Sequence, residues 1–247
     1  MKKLLLSSAI IMLLGLSFTK CTPEENGDTP VHNRQIIHNA VIDVDGNQYD
    51  AVVLGEQVWM KSNLRVKHFR DGSPIPNGET DTFSLELPCY FQANVALEVS
   101  RGLYYNWSAV TDERGLCPDG WHVPTEKDWT EMEQYVGSQQ QYVYGYESVN
   151  IAKALASQEG WKAYPEVGIP GHHPEANDAT EFTAVPADCY YSVHSAGSGG
   201  YLAMFWTVSE NNPNEACYHY ISHESPRVYK GVYEDKMFSY NVRCIQD

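Results

Sequence analysis

The sequence predicts an α+β domain in which two helices pack beside a largely antiparallel, twisted sheet with long ordered loops. Three features predict it: short alternating β-rich runs at the amino end and again in the carboxyl third, two helical patterns between them, and one long tract broken by proline and glycine. In chain order, Val41–Val44 and Gln48–Leu54 flank Asp45-Gly46-Asn47 and read as a hairpin with a glycine-containing turn, and Glu56–Met60 continues as a third strand. Asp43, Asp45 and Asn47 also repeat the oxygen spacing that opens an EF-hand loop. Gln48 stands where that loop needs glycine and Leu54 where it needs glutamate, so the turn reading holds. Thr125, with Asp128 three residues on, forms a near capping box, and Trp129, Met132 and Val136 make one buried stripe, which predicts a helix over Glu126–Val136. Ser148 opens a second helix in which Ile151 and Leu155 share a face and Gly160 marks the end. Pro165, Gly168, Pro170, Gly171, Pro174 and Pro186 make Trp161–Asp188 a long ordered loop, the kind of segment where binding residues gather. Tyr201–Ser209, Ala216–Ser222, Arg227–Tyr233 and Phe238–Ile245 then alternate as antiparallel strands.

The amino end reads as an address. Lys2 and Lys3 precede an apolar run from Leu4 to Leu16, the charged and hydrophobic parts of a secretory signal over residues 1–20. Cys21 follows directly and resembles the acylated first residue of a bacterial lipoprotein. Lys20 stands where such sites carry a small residue, which leaves ordinary cleavage elsewhere as the alternative. Residues 21–39 begin Cys-Thr-Pro-Glu-Glu-Asn-Gly-Asp, an acidic tether that resembles a surface-export signal. The expected location is the outer membrane at the cell surface, touching the membrane by its lipid anchor only. The formal charge is −15, and removing the leader removes three lysines more. Such an acidic chain argues against nucleic acid and anionic membranes as partners. Residues 40–247 are enough for one domain with a full core.

Residues 101–129 are the most specific stretch, with Tyr104-Tyr105-Asn106-Trp107 followed by Cys117-Pro118-Asp119-Gly120-Trp121-His122-Val123-Pro124-Thr125. This string resembles the Fibrobacter succinogenes major paralogous domain of bacterial surface proteins and lipoproteins, and no activity comes with the resemblance. It extends outward through Asp43–Asn47, Val58-Trp59-Met60, Asn63-Leu64, Phe205-Trp206 and Val242-Arg243-Cys244, spanning residues 40–247. The Gly-Trp-x-x-Pro-Thr pattern leading into a helix, with the later Phe-Trp and Val-Arg-Cys, is similar to formylglycine-generating-enzyme and C-type-lectin-like folds. That similarity implies a C-type-lectin-like domain with its amino and carboxyl strands paired. Because Cys117 and Cys244 both sit in family motifs, the resemblance makes them the first candidate disulfide. Cys189 and Cys217 lie outside the family pattern and form a second candidate pair, with two buried free thiols as the alternative.

Several clusters could carry chemistry. Glu175, Asn177, Asp178 and Glu181 offer hard oxygens within one loop and are the candidate calcium ligands, with a solvated acidic loop as the alternative. The neighbouring His172 and His173 do not converge on one ion, because adjacent side chains point apart. Asn212-Pro213-Asn214-Glu215 has a superficial likeness to a lectin sugar triplet but lacks its first carboxylate, so a β-turn is expected. No second cysteine stands a few residues before Cys244, which argues against copper-dependent sulfatase-activating chemistry. A thiol hydrolase would draw on Cys89 or Cys189 with His194 or His219. Of the many aromatic residues, Trp59, Trp107, Trp121, Trp129 and Trp206 read as core. Tyr142, Tyr144 and Tyr146 read as an exposed ligand-binding platform, with Tyr164, Tyr190 and Tyr191 next. The function expected is that of a non-enzymatic surface lipoprotein that binds a glycan or a surface protein, or serves a larger surface assembly. A cell-envelope enzyme and a structural adhesion or coat subunit are the alternatives.

Overall fold

The computed structural model describes residues 36–79, 87–92, 101–187, 199–212, 215–233, 236 and 238–247. Cys21, Cys189, Tyr190, Tyr191, His194 and the turn at 213–214 lie outside the described residues. The opening hairpin joins β1 (Ile36–Ile42) to β2 (Gln48–Leu54). Its turn is built on Asp43, whose carboxylate accepts from the backbone N–H groups of Asp45 and Asn47 at 3.0 and 2.9 Å and from the Tyr49 hydroxyl at 2.6 Å. The calcium-like spacing is thus consumed by an Asp-anchored turn. β1 begins five residues before the sequence expectation, because Asn39 takes a positive φ of 50° and the bulge there breaks the alternation that would have revealed the strand.

β3 (Gln57–Met60) follows β2, and the final strand β11 (Ile245–Gln246) inserts between β3 and β6 (Trp121–His122). Ile245 faces Trp59 on one side and His122 on the other, so amino and carboxyl strands are paired in a five-stranded antiparallel sheet ordered β1-β2-β3-β11-β6. Cys117 and Cys244 form a disulfide beside this junction. A second sheet joins β4 (Tyr90–Phe91), β5 (Tyr104–Asn106) and β10 (Ser239–Tyr240), and a third joins β7 (Leu202–Asn212), β8 (Glu215–Ser222) and β9 (Val228–Tyr233). The single strand expected over Phe238–Ile245 is therefore two strands of two sheets. Between them Asn241 spends its side-chain N–H groups on the carbonyls of Arg101 and Leu103, which turns the chain from one sheet to the other.

α1 (Trp107–Val110) is one turn capped by Asn106, and α2 (Glu126–Ser138) is the main helix. The Thr125 hydroxyl accepts from Asp128 N at 3.2 Å, and the Asp128 carboxylate accepts from Thr125 N at 2.7 Å, closing the expected capping box. Trp129, Met132 and Val136 are buried as the stripe predicts. The second expected helix shrinks to α3 (Ala152–Leu155). Its neighbours' backbone groups are claimed from elsewhere: Ala152 N donates to Pro226 O, Ser157 N to Ala184 O, and Ala184 N and Thr180 N to the carbonyls of Leu155 and Ala154. The fold is α+β, weighted toward open antiparallel sheet. All five tryptophans expected in the core are buried there, with Trp59 and Trp129 packed edge to face at 5.3 Å.

One ionisable group marks a local cost. Burial raises the Asp178 carboxyl above its ordinary value, although Thr183 N and Oγ1 donate to it. A group raised in the folded state favours folding below its unfolded pKa, and that contribution is lost as pH rises through the folded pKa. Asp178 also holds a positive φ of 66°, which asparagine tolerates. Asp178→Asn should therefore raise the thermal midpoint at pH 7, with the advantage vanishing by about pH 4, where the unfolded carboxyl is itself protonated. Melting curves at both pH values test this, and an equal or lower midpoint at pH 7 rejects it.

Candidate functional site

β8 is a two-faced strand, and its alternation builds the site. Cys217, His219 and Ile221 point toward α2, whereas Tyr218, Tyr220 and Ser222 point to the opposite face. On that face Tyr220 pairs across the strands with Met204 and Tyr229, and Tyr218 with Trp206 and Gly231. Tyr220 and Tyr229 stack at 5.2 Å and 19°, Tyr218 and Tyr220 at 5.9 Å and 28°, and the row continues to Tyr240 at 4.8 Å. Gly231 makes room for it: a Cβ there would sit 2.0 Å from the Tyr218 ring. Leu202, Met204, Tyr218, Tyr220 and Tyr229 line a groove of about 690 Å³ whose polar edge is Ser222, Glu224 and Ser225. The Ser225 hydroxyl donates to the Tyr229 oxygen at 2.9 Å, and Tyr229 itself is 38% exposed. Next in the chain, His223 is flanked edge-on by Tyr201 at 5.1 Å and Tyr164 at 5.5 Å. Its Nδ1 is buried with no hydrogen-bond partner among the described residues.

The reverse face of β8 is an ionic clamp. His219, 3% exposed, faces Glu133 through Nδ1 at 2.9 Å and Glu126 through Nε2 at 3.0 Å, and it stacks on Trp129 at 4.7 Å. Glu126 is also bound by Lys230 at 3.1 Å. With both ring nitrogens committed to carboxylates, His219 has none left to activate a thiol. Burial pushes the Cys89 thiol up to about 12 and also raises the Cys217 thiol, so neither is a ready thiolate at neutral pH. Cys217 is a buried free thiol, and Cys189, its expected partner, lies outside the described residues.

The four expected calcium ligands do not converge. Glu175 pairs with His173 at 2.8 Å on the surface, Asp178 serves Thr183, and Glu181 binds Lys61 at 2.6 Å. Asn177 is buried, and its Oδ1 accepts from Lys153 Nζ at 2.6 Å. The same ammonium donates to the carbonyls of His172 at 2.6 Å and His173 at 3.1 Å. Asn177 Oδ1 and the two histidine carbonyls thus already surround a cation, the tip of a lysine, and burial lowers that lysine's pKa. No group of three His, Cys, Asp or Glu side chains among the described residues is placed to hold a metal ion.

Nor do the three alternating tyrosines form one platform. Tyr142 packs against the core, the Tyr144 ring lies across Gly168, and Tyr146 is fully exposed at the loop tip. The residues that do line a groove, Tyr218, Tyr220 and Tyr229, were legible only as the alternation Tyr218-His219-Tyr220 in an expected strand.

The framework around the groove is made of the sequence's rarest motifs: Trp206 donates to the Tyr105 carbonyl at 2.9 Å, and Asn106 caps α1 while holding Cys89 N and Leu87 O. A family model, the Fibrobacter succinogenes major domain, matches residues 52–246. The chain belongs to this family. No curated protein and no solved structure matches it. Within the Fibrobacter succinogenes major domain of this chain, the disulfide, the capping box and the groove sheet all lie inside the matched span, while β1 and its Asp43 turn precede it. No helix among the described residues is long and apolar enough to cross a membrane.

Proposed function

We propose that this is an exported protein, anchored through a lipid on Cys21 at the outer membrane surface, whose lectin-like domain binds a neutral saccharide in the tyrosine groove without catalysing a reaction. The observation that carries the reading is the row of stacked tyrosines with hydroxyl and carboxylate groups along its edge. Flat aromatic surface suits the C–H face of a sugar ring, and short polar side chains at the margin suit its hydroxyls. The strong negative charge favours neutral over anionic glycans. The signal-like amino end, the acidic tether and a disulfide that suits an oxidising compartment support export. Because the candidate calcium oxygens are engaged by Lys153, Lys61, His173 and Thr183 and none of them lines the groove, binding is expected to need no calcium.

Isothermal titration of the full mature chain against soluble neutral polysaccharides, with and without EDTA, tests this. Tyr229→Ala should weaken binding about tenfold, equivalent to roughly 1.4 kcal/mol, with an unchanged melting midpoint, and EDTA should change nothing. Equal affinity in Tyr229→Ala, or binding abolished by EDTA, rejects the groove as the sugar site.

A further inference from the structure

A second concavity lies on the other side of the groove sheet, between α2, the segment 148–151 and β9. It is a cleft of about 370 Å³ with Ile151 and Val228 as apolar floor, the half-exposed Val149 at its mouth, and Glu133, Gln134 and Ser138 along one wall. Its shape depends on a close approach, since a Cβ on Gly137 would meet the Ser148 carbonyl at 2.3 Å. Among the described residues no basic side chain lines it.

We infer that this cleft is a binding site for a primary ammonium on a short alkyl stem, with Glu133 as its anion and the aliphatic floor as the seat of the stem. Glu133 is the one carboxylate that belongs both to the cleft and to the buried clamp. His219 Nδ1 holds its Oε1 at 2.9 Å, and among the described residues His219 is its only hydrogen-bond partner, which leaves Oε2 uncommitted on a residue that lines the cleft. The clamp fixes the orientation of the carboxylate through one of its two oxygens. His219 is shared with Glu126, and Lys230 lies on Glu126 rather than on Glu133. A pre-oriented carboxylate at the wall of an apolar slot selects a cation that brings its own hydrocarbon, as a lysine side chain does. Val149, nearly half exposed, lies at the mouth and supplies apolar surface to whatever carries the ammonium. The chain's net negative charge draws cations toward it.

Two sources share this chemistry, a free alkylamine and a lysine on a partner protein, and the test separates them. The mature chain, labelled with nitrogen-15, is titrated with n-butylammonium, with Nα-acetyl-lysine amide and with uncharged Nα-acetyl-norleucine amide. Both cations should produce saturable amide shifts at Glu133, Gln134 and Val149, and the norleucine compound should not. Glu133→Gln should weaken the cations at least tenfold, whereas Glu131→Gln, on the same helix outside the cleft, should leave them unchanged. Val149→Trp, which narrows the mouth without touching the clamp, should also weaken them and guards against misfolding of Glu133→Gln. A lysine amide that binds tighter than butylammonium assigns the site to a protein side chain, and equal affinities assign it to a free amine. Absence of saturable shifts, equal response to norleucine, or loss in Glu131→Gln matching that in Glu133→Gln overturns the inference.

Discussion

Arg243→Met is expected to destabilise the domain by about 3–5 kcal/mol, the range for removing one member of a fully buried polar network. The Arg243 side chain is wholly buried, and among the described residues no carboxylate forms a hydrogen bond or ion pair with it, although the nearby Asp178 charge favours its protonated form. Its guanidinium instead donates to Asn63 Oδ1 at 2.6 Å, to the Thr183 carbonyl at 3.2 Å and to the Phe182 carbonyl, and lies over the Phe182 ring at 4.4 Å. Burial pulls its pKa down to about 9, so the charge is kept at neutral pH against a desolvation penalty. Methionine fills much of the volume and removes that penalty, but it leaves three acceptors without donors at about 1–3 kcal/mol each. Two of the acceptors belong to the loop around Thr183, a β-branched residue held at a φ of 57° close to Asp178 and Glu181, which also have positive φ. A backbone held in that region persists only where its surroundings fix it. Lysine should fare little better, because one ammonium cannot serve the forked set of acceptors. Urea unfolding gives the measurement, and a midpoint for Arg243→Met within the equivalent of about 1 kcal/mol of the parent contradicts the account.

Arg243 also shows how far the sequence could be read. It sits in the Val-Arg-Cys motif that marks the family, but nothing local says that its side chain crosses the core to a loop some sixty residues away. The readable elements are those whose determinants are neighbours in the chain. The capping box and stripe placed α2 to within two residues of its observed end, and the Asp43–Asn47 turn folds on its own carboxylate. Where long-range partners decide, local patterns mislead. The segment after Ser148 has helical periodicity, yet Pro226 and Ala184 take its hydrogen bonds and leave one turn. The loop from Glu175 to Glu181 has the oxygens of a calcium site, but the cations reaching it are the ammonium groups of Lys153 and Lys61, both more than twenty residues earlier. The groove was hidden for another reason. Tyr218 and Tyr220 alternate with Cys217 and His219, which are buried on the other face, so the strand shows no apolar–polar contrast to announce which side is open.

The disulfide should matter as much as Arg243, through the opposite state of the chain. Cys117 and Cys244 are 127 residues apart in sequence and close a loop that contains α2 and the whole groove sheet. In the chain-entropy account a loop of that length stabilises by about 5 kcal/mol, almost all of it by restricting the unfolded chain. The native backbone around the bridge is held independently: Arg70 Nε donates to the Cys117 carbonyl at 2.8 Å, and Met60 N to the Cys244 carbonyl at 3.1 Å. The double variant Cys117→Ala/Cys244→Ala should therefore keep the native fold and the saccharide groove while its urea midpoint falls sharply. Cys217→Ala, which removes a buried thiol that closes no loop, should cost only about 1 kcal/mol and separates lost cross-linking from lost packing. If the double variant matches Cys217→Ala in stability, the bridge restrains a denatured chain that was already compact, and the domain's stability rests on Arg243 and the tryptophan core instead.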